Sequence, residues 1–172
     1  MSKAFTRESD DLPERSVLPR PQKTLPPGVK NHLTPGGAAR FQEEWAHLTQ
    51  IERPQLLAQP TSDSSRERLQ RLGQRLLELD QILQTAHIVD VPPEPHDSVR
   101  FGALAELRES DGSMTQYRIV GVDEIDLDRN WISWRSPLAK ALLGSRLGQV
   151  ISIQTPAGNR ALEVLRVWYP EQ

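Results

Sequence analysis

Val99-Arg-Phe-Gly-Ala-Leu-Ala-Glu-Leu107 changes the periodicity of the chain. Val99, Phe101, Ala103, Ala105 and Leu107 alternate with polar or small residues. A period of two marks a strand with one buried face. Asp111-Gly112 follows, a dipeptide suited to the positive φ angles of a tight hairpin. Tyr117, Ile119 and Val120 continue the second strand, and Trp131-Ile-Ser-Trp134 predicts a short third one. Ser136 and Pro137 predict the N-cap and first turn of a two-turn helix through Leu143, ended by Gly144. Val150-Ile-Ser-Ile153 and residues 161–167 predict a second hairpin, joined through Thr155-Pro-Ala-Gly-Asn159. The expected product is a small antiparallel sheet carrying one short helix, an α+β arrangement.

Upstream, Asp90-Val-Pro-Pro-Glu-Pro-His-Asp97 cannot continue a helix. Residues 90–98 therefore read as a linker between two units. Before it, Leu69, Leu72, Leu76, Leu79, Leu83 and Ala86 recur at spacings of three and four, a heptad seam that needs a partner. The preceding segment supplies one. Thr34 suits an N-cap and Pro35 a first helical position, and Phe41, Trp45 and Leu48 follow at helical spacing. Pro54 should kink or restart that helix, which runs to about Ala58 before residues 59–65 break it. Residues 34–89 thus predict an antiparallel helical hairpin, a coiled coil about 24 residues per helix and roughly 36 Å long. Gly73 sits beside the seam without a sequence-level reason. Residues 1–33 carry Pro13, Pro19, Pro21, Pro26 and Pro27 among mixed charges. They read as an extended polar tail, either disordered or packed on the body through Phe5, Val17, Leu18 or Leu25.

Composition narrows the function classes. The 172 residues suffice for one ordinary domain or two small ones. Hydrophobic residues make up 37% and aromatic residues 5%, which suits a protein with an extended solvent-bathed element. A net charge of -2 argues against a nucleic-acid coat held by bulk positive charge, so any such contact must be local. With no cysteine there are no disulfides or cysteine metal sites, which is compatible with the expected cytoplasmic location. No signal peptide and no run of about 20 apolar residues is present, so no membrane role is expected. His32, His47, His87 and His96 are isolated from one another and from carboxylates at ligand spacing. No phosphate-binding glycine loop and no Gly-x-Ser-x-Gly elbow occurs.

A resemblance sharpens this reading. Phe101-Gly-Ala103, Tyr117-Arg-Ile-Val-Gly-Val-Asp-Glu124, Ile132-Ser133, Ser136-Pro-Leu-Ala-Lys-Ala-Leu-Leu-Gly144, Gly148 and Thr155-Pro-Ala-Gly158 resemble, in order, the C-terminal pattern of the Gre (GreA/GreB) family of bacterial transcription elongation factors. Leu33-Thr-Pro-Gly-Gly-Ala-Ala-Arg40, Glu52-Arg-Pro54 and Ile88-Val-Asp90 are similar to its helical region, so the resemblance covers about residues 30–169. It implies that residues 99–172 form an FKBP-like sheet domain that grips RNA polymerase at the rim of its secondary channel, while the coiled coil enters that channel. It implies a place among DNA-binding transcription proteins, and an accessory factor rather than an enzyme. No cofactor of its own is implied. In the family, two acidic tip residues help hold Mg²⁺ and a water in the polymerase's active site, where carboxylates place a metal against the attacking water. A monomer is expected.

The family's acidic Gly-Asp-x-x-Glu-Asn-type tip loop has no counterpart here. The stretch between the two helices is shorter than the family pattern, and each helical residue removed shortens the reach by about 1.5 Å. Asp63 and Glu67 are the carboxylates near the turn. They read either as helix initiation, with Ser64-x-x-Glu67 a capping box and Asp63 an alternative cap, or as a reduced metal-holding tip. Arg68, Arg71 and Arg75, with Arg66, make the start of the second helix basic. They read as a coil edge pairing with Glu43, Glu44 or Glu52, or as a surface facing RNA in the channel. Arg135, Ser136, Pro137 and Leu138 match the polymerase-contact loop in part, Arg135 standing where Asn or Asp is expected. Trp131 and Trp134 pack internally or add apolar contact. Three functions stay open: an elongation factor that stimulates cleavage of backtracked RNA, a channel-binding regulator that competes with cleavage factors or alters initiation, and a regulator of a partner other than polymerase, such as a nucleoside diphosphate kinase.

Overall fold

The computed structural model describes residues 25–59, 62–155 and 158–170. Most of the expected tail, the start of the turn between the helices and the tip of the last hairpin lie outside these residues.

The helical part follows the seam. Helix α1 spans Pro35–His47, with the Thr34 hydroxyl accepting from Gly37 N–H and Pro35 in the first turn. At Leu48–Glu52 the helix widens into a π turn, and α2 restarts over Arg53–Leu57. This is where Pro54 was expected to interrupt, because proline removes a backbone donor and crowds the preceding turn. Helix α3 covers Asp63–Thr85. Leu79 is fully buried against Phe41 and Ala38, with Trp45, Leu48, Ile82 and Leu83 around them. Toward the turn the packing opens into a cleft of 560 Å³ lined by Trp45, Leu57, Leu69, Leu72, Gly73 and Leu76.

Two three-residue strands close the base of the helices. Asn31–Leu33 forms β1 and Ala86–Ile88 forms β2, paired in parallel with His32 opposite His87. Neither was expected. Asn31, His32 and Leu33 fell in the predicted tail and Ala86 in the helical seam. The chain leaves the helix at Ala86, whose φ and ψ are -59° and 130°, and Leu33 is buried beneath the pair.

The sheet part contains β3 (Leu104–Glu109), β4 (Met114–Val120), β5 (Trp131–Ser133), α4 (Pro137–Leu142), β6 (Val150–Thr155) and β7 (Gly158–Trp168). Five strands lie in the order β5-β4-β3-β7-β6. The expectation of an antiparallel sheet needs one correction: β4 and β5 run parallel, with Arg118 beside Trp131. The connection through residues 121–130 carries the chain back before β5 begins. The turn at Asp111-Gly112 has Gly112 at φ 86°, in the left-handed region that favours glycine. Val99, Ala105, Leu107, Ile119, Leu142 and Val164 are fully buried, and α4 closes this core with Leu138 and Ala139.

Candidate functional site

The helical part is joined to the sheet by a buried carboxylate. Glu124 lies in the loop after β4, and its side chain has no exposed surface. One carboxylate oxygen accepts from the backbone N–H of Thr34 at 2.9 Å and of Gly121 at 3.0 Å. The other accepts a short hydrogen bond from the Thr34 hydroxyl. Arg40 stands 3.8 Å away. The same hydroxyl caps α1, so one residue starts the helix and fastens it to the sheet. The glycines nearby are there for space: a Cβ on Gly37 would lie 1.9 Å from the carboxylate, and one on Gly121 would lie 2.2 Å from the His32 carbonyl oxygen. Asn31 adds a bond to Asp123 at 3.0 Å. The helical part is therefore fastened to the sheet part at this point.

The loop expected to make contact follows β5 in the chain. Ser136 caps α4, its hydroxyl accepting from Ala139 N–H at 3.1 Å, and Pro137 occupies the first turn. Pro137 is exposed, Arg135 and Ser136 are half-buried, and Leu138 is 6% exposed within the core. Leu138 thus holds the loop from beneath. Trp134 is half-buried, edge-on to His32 at 5.3 Å between ring centroids. Trp131 carries three guanidinium groups: Arg40 and Arg118 at 4.8 Å and Arg129 at 5.4 Å from its ring centroid. His32 also touches His87 and Phe101. Its burial, helped by the neighbouring His87 and Lys30, pushes its pKa below the ordinary value.

At the far end of the arm, the start of α3 is capped differently from the expectation. The cap is Ser62, in a reciprocal box with Ser65, two residues earlier than a Ser64–Glu67 box would place it. Asp63 is 97% exposed and lies 3.3 Å from Arg66. Glu67, Arg68 and Arg71 are exposed on the following turns. Arg75 is engaged across the helices, its guanidinium gripping the Glu44 carboxylate through two bonds of 2.7 and 2.8 Å. Glu78 adds a third at 3.1 Å, and these carboxylates raise the Arg75 pKa further. Of the basic residues considered, Arg75 is a cross-arm tie, while Arg68 and Arg71 face solvent.

Comparisons with known proteins give this geometry its context. The family profile described as "Transcription elongation factor, GreA/GreB, C-term" matches residues 94–169. "Transcription elongation factor GreB" of Haemophilus ducreyi is 33% identical over 153 residues, covering 81% of this chain and 94% of that protein. The chain belongs to the GreA/GreB family of transcription elongation factors. "Transcription elongation factor GreA" of Acidiphilium cryptum is 37% identical over 150 residues, covering 78% and 95% of the two chains. Among solved structures, the GreA factor homolog 1 (Gfh1) protein of Thermus thermophilus is similar at 24% identity, with a TM-score of 0.39 over 81% of this chain and 99% of that one. Within this Gre-family chain, sequence reasoning passed over the Glu124 junction. Its signal was present as Gly36-Gly37 in the first turn of a helix and as Gly121-Val-Asp-Glu124 after a strand.

Proposed function

We propose that this transcription elongation factor docks on RNA polymerase at the rim of the secondary channel and regulates elongation from there, without supplying a metal-holding tip. The observation that carries the reading is the Glu124 junction. It ties the start of α1 to the loop after β4 through two hydrogen bonds from Thr34, while a third, from Gly121, holds the carboxylate within its own loop. A docked sheet would therefore aim the arm in one direction. In this reading the sheet part is an FKBP-like platform and the helices form a coiled-coil arm. The 23 residues of α3 make it about 34 Å long. Arg135, Ser136 and Pro137 form the contact loop, with Leu138 anchoring it.

At the tip, Asp63 is the nearest candidate to the family's acidic pair. It is almost fully exposed and already pairs with Arg66, while Glu67 lies one turn on. A magnesium ion needs near-octahedral oxygen ligands at about 2.1 Å. A shorter arm carrying one paired carboxylate is poorly placed to complete that shell on the Mg²⁺ of the polymerase. The protein thus acts by occupying the channel, where Arg68 and Arg71 face RNA phosphates. The polymerase keeps its own chemistry. Two variants test the parts. Asp63→Ala is expected to leave RNA cleavage unchanged, and loss of a stimulated cleavage would establish the reduced tip instead. Pro137→Asn is expected to weaken polymerase binding more than it lowers stability, and unchanged affinity would remove the loop from the interface.

A further inference from the structure

We infer that Arg40, Arg118 and Arg129, gathered on Trp131, form a receptor for an acidic side chain of the bound polymerase, an inference that rests on the polymerase reading above. Three elements converge here: α1 supplies Arg40, β4 supplies Arg118, and the loop before β5 supplies Arg129. All three guanidinium groups lie within 5.4 Å of one indole centroid. Like charges are brought together at a cost unless something balances them. The two carboxylates that face the cluster, Glu124 and Asp126, leave one of its three positive charges unmatched. Glu124 is held by Thr34 and Gly121, and its 3.8 Å approach to Arg40 is longer than a hydrogen bond. Asp126 accepts from the backbone N–H groups of Asp128 and Arg129 and stands 3.5 Å from the Arg129 side chain. Arg118 is the centre of the imbalance. Its Nε is buried with no hydrogen-bond partner among the described residues. Burial, reinforced by Arg40, lowers its pKa even though Glu124 opposes the shift.

Three guanidinium groups on one ring, with the Arg40 and Arg129 side chains 45% and 66% exposed, are completed by a planar oxyanion that a guanidinium fork can grip. Position favours a carboxylate on the polymerase over a nucleic-acid phosphate. Trp131 opens the edge strand β5, and that strand ends four residues before Pro137 in the proposed contact loop. The receptor thus continues the docking surface. The RNA-facing end of the arm is elsewhere: Arg40 sits in the second turn of α1, and the helices run on to Leu57 before the turn, roughly 25 Å away along the axis.

The test is affinity for the cognate core polymerase across a salt series, using the full chain and the variants Arg118→Gln, Arg118→Lys and Arg129→Gln. Thermal unfolding of each is measured alongside. Arg129 is 66% exposed, so its variant keeps the fold even if Arg118→Gln does not. Both glutamine variants are expected to weaken binding by roughly tenfold or more and to flatten its salt dependence. Arg118→Lys is expected to recover the salt dependence but only part of the affinity, because an ammonium lacks the fork. Folded glutamine variants that bind with unchanged affinity and salt slope would overturn the receptor while leaving the polymerase reading in place. Failure of the unaltered chain to bind polymerase would overturn both. A loss seen on an elongation complex carrying RNA, but not on core enzyme, would overturn the carboxylate in favour of a phosphate.

Discussion

Replacing Glu124 with alanine tests whether one buried carboxylate fastens the arm to the sheet. The native side chain accepts from Thr34 N–H, Gly121 N–H and the Thr34 hydroxyl. Alanine removes both acceptor oxygens and with them all three bonds. The hydroxyl can turn to another partner, but the two buried N–H groups cannot, and each unsatisfied donor costs about 1–3 kcal/mol. Losing the carboxylate also removes the penalty for burying its charge, which pulls the net downward. The expected loss is about 3 kcal/mol, a large share of the roughly 5–15 kcal/mol that holds a domain together. Glu124→Gln keeps the shape and one acceptor oxygen, so its loss should be nearer about 1 kcal/mol. Urea unfolding followed by tryptophan fluorescence measures both, and hydrogen exchange at β1 and β2 reports whether the arm root loosens first. A Glu124→Ala protein within about 0.5 kcal/mol of the parent, with unchanged exchange in β1, would refute the junction.

Gly37→Ala acts on the same contact from the helix side: its Cβ would lie 1.9 Å from the carboxylate, so the alanine should destabilise despite its better helix propensity, and a stabilised protein would contradict this. Gly73 is the opposite case. Nothing lies within 4 Å of an added Cβ, so Gly73→Ala should raise stability by about 1 kcal/mol, measured by the same urea titration. His32 gives a pH signature. Its pKa in the folded protein lies below the ordinary 6.5, so the unfolded chain takes up the proton first. Stability should be complete above pH 6.5 and fall as pH drops from there toward the folded value; a flat profile across pH 5–8 in the parent, or an unaltered slope in His32→Phe, would refute the assignment. Arg75→Met removes the bidentate tie to Glu44, but both side chains are 38% exposed, so the loss should stay within about 1 kcal/mol by thermal unfolding, and a larger one would mean that the pair organises the arm.

Strong local chemistry was readable before the structure. Thr34-Pro35 and Ser136-Pro137 each combine a cap with a fixed φ, and both open helices where expected. Asp111-Gly112 needs a positive φ and has one. Pro54 marks a helix restart because a missing donor cannot be hidden. What escaped has physical reasons. Strands of three residues, such as Asn31–Leu33 and Ala86–Ile88, are too short for a period of two to show, and their pairing joins positions about 55 residues apart. The parallel placement of β5 depends on a loop without periodicity. The cap of α3 fell on Ser62 rather than Ser64 because several serines in succession offer equivalent hydroxyls. Glu124 was hardest, since a carboxylate in a sequence reads as surface until its donors are known. The candidate tip and arginines were named from local charge. The convergence of Arg40, Arg118 and Arg129 on Trp131 needed three elements to be placed first.

The central claim is a channel-docking elongation factor that leaves cleavage chemistry to the polymerase. The direct measurement is a backtracked elongation complex with the cognate polymerase and Mg²⁺, shown to contain the bound protein, in which the 3′ end of the RNA is followed over time. The account predicts a stable complex whose RNA shortens only at the polymerase's intrinsic rate, with the same result for Asp63→Ala. Shortening above the intrinsic rate that Asp63→Ala abolishes would contradict it and assign Asp63 to a working tip, and failure to form the complex would contradict the docking itself.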